Sequence, residues 1–175
     1  MDQNFTFDPN EYELVENFSD SQCFGCGNRN AHGLHMQYYK KDNTLTSKVM
    51  LLDYLCGWSS EVAHGGILCF LLDEIMGMAI LTLQKCFVVT KTIECNLIKP
   101  VLIKCPIVAK AEIIKNYKNK VFTVEGGLYN PENELSASAV AKYLVILPKH
   151  LQDYWKVPKK SVDRMLELFL KDTHG

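Results

Sequence analysis

The chain has 175 residues, 47% of them apolar and 22% charged, with a formal net charge of −1 at neutral pH. That length buries one sizeable core and falls short of two full domains, so residues 1–175 read as a single domain, with a core over about 21–147 and a C-terminal extension over 148–175. Near-neutral charge with scattered lysines argues against nucleic acid as a partner. The acidic start Met1-Asp2-Gln3-Asn4 lacks the basic-then-apolar layout of a secretion signal, which makes the cytoplasm the expected location.

Residues 9–18 carry Pro9 near their start and Leu14, Val15 and Phe18 at helical spacing, which predicts a short helix over an edge of the core. The loop at 19–32 contains Cys23-Phe24-Gly25-Cys26-Gly27. With His32 and His35 nearby, the two thiols invite a zinc reading. The spacing to His32 is short for such a site and His35 begins a predicted strand, so a tight loop without metal is expected. Cys56, Cys69, Cys86, Cys95 and Cys105 sit singly among apolar residues, as reduced core cysteines do. Strand-like runs at 34–39 and 45–52 flank Lys41-Asp42-Asn43, a hairpin signal.

A loop over 53–63 leads into a long helix, 64–84, that is apolar on nearly every side. Its run 67–83 is interrupted by Asp73 and Glu74 and is too short to span a bilayer, so it reads as a core helix, with no membrane partner. Strand-like runs follow at 86–98, 104–116, 121–129 and 134–147, separated by Lys99-Pro100, Tyr117-Lys118-Asn119-Lys120 and Asn130-Pro131-Glu132-Asn133. Three hairpin links in series predict an antiparallel sheet. Two-residue alternation at 121–125 and 137–141 turns one face of it to the core, which the helix covers. Beyond Pro148 a polar stretch precedes a last helix at 161–171, with Ser161 as N-cap and Val162, Met165, Leu166 and Phe169 on one side.

An acid inside an apolar helix needs a chemical reason. Leu71, Leu72, Ile75 and Met76 surround Asp73, making it the candidate acid, while Glu74 lies about 100° further round the helix and reads as a salt-bridge or interface residue. Gly65 and Gly66 offer bare backbone N–H groups at the positive end of the helix dipole, where a developing oxyanion can be held. Acid plus oxyanion site points to acyl chemistry. His64 either orients that glycine turn or simply caps the helix. Gly66 and Asp73 are separated by about 10 Å along the axis at ~1.5 Å per residue, too far to serve one acyl carbon together. Two copies with antiparallel helices would bring Gly66 of one to Asp73 of the other, so an obligate homodimer is expected.

His64-Gly65-Gly66 followed by Leu72-Asp73-Glu74 resembles the hotdog-fold acyl-CoA thioesterases, in the branch of phenylacetyl-CoA thioesterase and the human thioesterase superfamily members. Two further pieces are similar: the run from Val89 through Thr90 to Lys99-Pro100, and the Cys23 to Gly27 turn leading to Gly33-Leu34. The resemblance implies an α+β hotdog fold, an antiparallel sheet wrapped around one long central helix, here with extra N-terminal and C-terminal helices. It also implies an acyl-CoA substrate, a homodimer that in relatives often pairs again into tetramers, and no cofactor beyond the coenzyme A of the substrate. By resemblance the Gly66 amide would hold the thioester oxygen, with Gly65 and His64 beside it. Asp73 would act as general base or as nucleophile, and Thr90 would position the attacking water. Relatives often carry Asn or Gln where this chain has Trp58, a substrate-side position, so Ser59, Ser60 or Glu61 would take over its role. Lys99 and Lys104 are candidates for the coenzyme A phosphates. The alternatives are a hotdog dehydratase or hydratase of 3-hydroxyacyl thioesters, whose histidine-to-acid spacing differs, and a non-catalytic acyl-CoA sensor.

Overall fold

A computed structural model describes residues 1–16 and 21–170, with side chains to residue 167. Seven strands form one antiparallel sheet: β1 (Glu13–Leu14), β2 (Tyr38–Lys41), β3 (Thr44–Met50), β4 (Val88–Leu97), β5 (Pro106–Tyr117), β6 (Val121–Tyr129) and β7 (Leu135–Val145). The spatial order is β1-β2-β3-β5-β6-β7-β4. Helix α1 (Gly65–Gln84) packs against β3 to β7, and two short helices follow the sheet, α2 (Pro148–Asp153) and α3 (Lys159–Leu170).

The sheet can approach α1 because small residues stand beneath it. Ala111, Gly126, Ala139 and Cys95 share one register level across β5, β6, β7 and β4. A Cβ on Gly126 would lie 3.0 Å from Met76 Cγ and 3.2 Å from Leu72 Cδ2, so the helix could sit no deeper over any other residue. Leu68, Leu71, Leu72, Ile75, Met76, Ala79 and Ile80 fill the space between the layers. The opposite flank of the helix, at Gly66, Cys69, Asp73 and Gly77, is not covered to the same degree.

Three expectations need correction. The helix expected over 9–18 is not formed by residues 9–16: a 3₁₀ turn at Pro9–Glu11 is followed by β1, whose neighbour Val15 donates its N–H to the Tyr38 carbonyl at 2.9 Å. Edge pairing with β2 supplies the backbone partners that so short a helix would have to find in itself. Phe18 lies outside the described residues. Second, the link at Lys99-Pro100 is not a hairpin. The β4 strand pairs with β7 at the sheet's edge, β5 pairs with β3, and the connection crosses the start of α1, where the Ala63 N–H donates to the Val101 carbonyl at 2.8 Å and the Ile103 N–H to the Glu61 carbonyl at 3.0 Å. Third, Ser161 is inside α3, which begins two residues earlier, and α2 occupies what read as a polar stretch. The two helices bury Leu151 and Val162 around Phe87 in a small second core with Leu81 and Ile146.

Candidate functional site

The site is built where α1 crosses β4 and β7. Thr90 and Tyr143 are direct cross-strand partners, and a bulge between Thr90 and Thr92 kinks β4 at that point. Bulges re-aim side chains, and here both hydroxyls reach one carboxylate. Thr90 Oγ1 donates to Asp73 Oδ1 at 2.8 Å; the Tyr143 hydroxyl, shared with the Asp73 carbonyl at 3.0 Å, also reaches Oδ1 at 3.0 Å. Burial, and then the negative charge of Asp73, push the Tyr143 phenol well above its ordinary range, so it remains a proton donor at neutral pH. Asp73 and Thr90 were expected from the sequence; Tyr143 was not. Its signal was there in the alternation Ala137, Ala139, Ala141, which puts residue 143 on the helix side.

A cavity of about 240 Å³ opens at this carboxylate, lined by Asp73, Glu74, Thr90 and Tyr143 and by apolar Met78, Leu81, Phe87 and Val88. A lining that combines polar groups with apolar side chains suits a ligand with a reactive head and a greasy tail.

His64, Gly65 and Gly66 do not line that cavity. His64 is the N-cap of α1, and its Nδ1 accepts the Gly66 N–H at 2.9 Å. The imidazole therefore already takes the donor expected to face an oxyanion. Leu97 of β4 covers Gly65 from the side, close enough that a Cβ there would lie 2.9 Å from Leu97 Cδ1. Trp58 projects from its loop 98% exposed. Ser59 and Ser60 both donate to Glu61, which lowers the Glu61 pKa and directs those hydroxyls away from Asp73.

The lysines are engaged. Lys99 pairs with Glu134 at 2.7 Å and Lys104 with Asp53 at 2.9 Å, so each would have to exchange a carboxylate for a phosphate. Lys104, Asp53, Cys56, Ser60 and Glu61 border a separate cavity of about 460 Å³ near the start of α1.

Glu74 does not make the salt bridge expected of it, since its partners are not basic. The Tyr38 hydroxyl donates to Glu74 Oε1 at 2.9 Å, and Cys23 Sγ lies 3.9 Å from the same oxygen. Burial first, and then the negative charge of Cys23, raise the Glu74 pKa to about 7. The Cys26 thiol supports its neighbour's sulfur, which holds Cys23 well below the usual thiol range and pushes Cys26 up. His32 and His35 are exposed and join neither cysteine; the His32 ring faces Tyr54.

Residues 61–137 match the family described as the thioesterase superfamily. No curated protein matches the chain in sequence. Among solved structures, a thioesterase superfamily protein superposes with a TM-score of 0.61 at 17% identity, over 66% of this chain and 56% of that one, so the match spans little more than half of that relative. A hypothetical thioesterase from Streptococcus pneumoniae TIGR4, solved with coenzyme A, gives 0.59 at 20% identity, over 63% and 85% of the two chains. The E. coli PaaI protein from the phenylacetic acid degradation operon gives 0.59 at 16%, over 65% and 81%. Likeness at this distance speaks for the fold, and the family match speaks for a thioesterase-type function. The chain has the hotdog fold, and its segment 61–137, which carries Asp73 and Thr90, matches the thioesterase superfamily.

Proposed function

We propose that the protein is an acyl-CoA thioesterase that hydrolyses an acyl or aroyl thioester to the free acid and coenzyme A, with Asp73 as general base or nucleophile. The observation that carries this reading is the convergence of Thr90 and Tyr143 on Asp73 Oδ1 at the mouth of a cavity with an apolar wall. Two donors on one oxygen fix the carboxylate and leave Oδ2 to take the attacking water, or to attack the carbonyl carbon itself. No cofactor beyond the coenzyme A of the substrate is required. The S. pneumoniae thioesterase solved with coenzyme A supports this substrate class, and separate structures of that protein carry an aspartate or a threonine replaced by alanine, the residue types that meet here at Asp73 and Thr90.

The oxyanion donor in this reading is Gly66 N–H of a second copy. His64 Nδ1 now sits where the thioester oxygen would accept, and the exposed imidazole turns aside as substrate enters. A homodimer is supported by two surfaces: the less covered flank of α1 at Gly66, Cys69, Asp73 and Gly77, and the unpaired edge of β4, where Leu97 is 53% exposed. A ten-residue edge strand with unpaired backbone groups is a ready template for a second strand.

Thiol release from short, long and aromatic acyl-CoAs tests the reaction. Turnover of at least one class is expected, whereas saturable binding without thiol release would make the protein a sensor and overturn the proposal. Sedimentation of the active species should give a dimer or a dimer of dimers; an active monomer would remove Gly66 from the site.

A further inference from the structure

The Cys23-x-x-Cys26 turn and the half-buried Glu74 are unused by this chemistry, yet the fold brings them together from positions 51 residues apart. Cys23 Sγ, Cys26 Sγ and a Glu74 carboxylate oxygen all lie within 4.8 Å of one another. The loop is shaped for that approach. The Gly27 N–H donates to the Cys23 carbonyl at 3.0 Å, closing the turn on its two thiols, and the Leu34 and Met36 N–H groups tie the following segment back to Phe24 and Gly25 at 2.8 Å each. Gly25 faces the Glu74 carboxyl so closely that a Cβ there would overlap it; the carboxylate reaches the cysteines only because residue 25 has no side chain.

We propose that Cys23, Cys26 and Glu74 form a binding site for a thiolate-preferring divalent cation of the zinc class, which fastens the 21–36 segment to the middle of α1. Two sulfurs on a tetrahedral zinc stand about 3.8 Å apart at bond lengths of ~2.3 Å, and a carboxylate oxygen about 3.5 Å from each. The 3.9 Å between Cys23 Sγ and Glu74 Oε1 needs a contraction of a few tenths of an ångström. Two thiolates with one carboxylate form a soft-to-borderline donor set, which selects zinc over calcium or magnesium, whose preferred ligands are oxygens. A divalent cation would take the place of the protons on Cys26 and Glu74, in a position where, among the described residues, Glu74 has no basic partner. Tyr38, whose hydroxyl donates to Glu74 Oε1 at 2.9 Å, is the outer group that orients the carboxylate. Three protein ligands leave the fourth position to water. The site uses neither histidine of the sequence-level zinc reading, and it displaces the expectation of a loop without metal.

The test is titration of the reduced full-length protein with Co²⁺, followed by Zn²⁺ competition against a chelator of known affinity. The expected result is one equivalent of cobalt per chain, with thiolate charge-transfer bands and the intense visible bands of a tetrahedral centre, displaced by zinc. Cys23→Ser and Cys26→Ser should each weaken zinc by more than about 100-fold, Tyr38→Phe by about 10-fold, and His32→Ala not at all. Absence of stoichiometric cobalt binding by the folded wild-type protein overturns the site, as does binding that survives Cys23→Ser undiminished. A Cys23–Cys26 disulfide that persists in reducing buffer, found by thiol counting and peptide mapping, also overturns it. None of these readouts depends on hydrolysis, so the site and the proposed thioesterase activity stand or fall separately.

Discussion

Asp73 and Glu74 are consecutive residues on one helix, and the fold gives them opposite surroundings. Each receives a tyrosine hydroxyl, Tyr143 for Asp73 and Tyr38 for Glu74. The second partner makes the difference: Thr90 adds another neutral donor to Asp73 beside an open cavity, whereas Cys23 adds a sulfur of negative character to Glu74 under the 21–36 segment. A rotation of about 100° around the helix thus separates a carboxylate held ready for chemistry from one that retains its proton to about pH 7 in the metal-free state. Neighbouring carboxyls with divergent environments are a common way for one scaffold to assign different roles to the same functional group.

The sharpest way to break this comparison is to neutralise each acid in turn. Asp73→Asn should lower kcat by about 10²-fold or more, while Glu74→Gln should cost less than about 10-fold; equal losses in steady-state assays would abolish the distinction. Next in size, Tyr143→Phe removes a hydrogen bond to a charged acceptor, worth about 1.5 kcal/mol, and should reduce kcat/KM roughly 10-fold. Because burial and Asp73 keep that phenol protonated across the neutral range, the shape of the pH–rate profile should stay as it is; a lost basic limb would show that Tyr143 titrates in the mechanism. Thr90→Val should cost somewhat less than Tyr143→Phe, and the double variant less than the product of the two, since both donors act on one oxygen.

Two smaller effects sharpen the other side. Gly25→Ala forces a Cβ against the Glu74 carboxyl and should destabilise the protein by about 1–3 kcal/mol in urea melts, accompanied by loss of cobalt binding. His64→Ala removes the cap on Gly66 N–H and should cost about 1 kcal/mol of stability; an accompanying fall in KM would indicate that the imidazole competes with substrate for that donor.

Local and strongly patterned features were legible from the sequence. The helix at 64–84, the strand at 121–129 and the turn at Asp42-Asn43 follow from periodicity and turn chemistry within a few residues, and Asp73 stands out because an acid interrupts an apolar run. The pairing of Thr90 with Asp73 came from family resemblance, not from spacing. What stayed hidden depends on which strand lies beside which. Tyr143 reaches Asp73 only because β4 turns to the sheet edge and pairs with β7, and sequence order suggested pairing with β5 instead. The Cys23, Cys26 and Glu74 cluster was hidden for the same reason, since no local pattern ties a loop at 23–26 to a helix fifty residues later. The helix expected at 9–18 shows the converse: in its described part, helical spacing lost to an available strand edge at β2, which Glu13 and Leu14 pair with.

The small core around Phe87 has an effect on the cavity itself. Leu81 and Phe87 belong both to the cavity wall and to the cluster closed by Leu151 and Val162. That side of the cavity therefore depends on packing supplied by α2 and α3 as well as on the sheet. Residues 148–167 thus act as a buttress for the chamber: pruning them would loosen its Leu81 and Phe87 side while leaving the hydrogen bonds of Thr90 and Tyr143 to Asp73 in place.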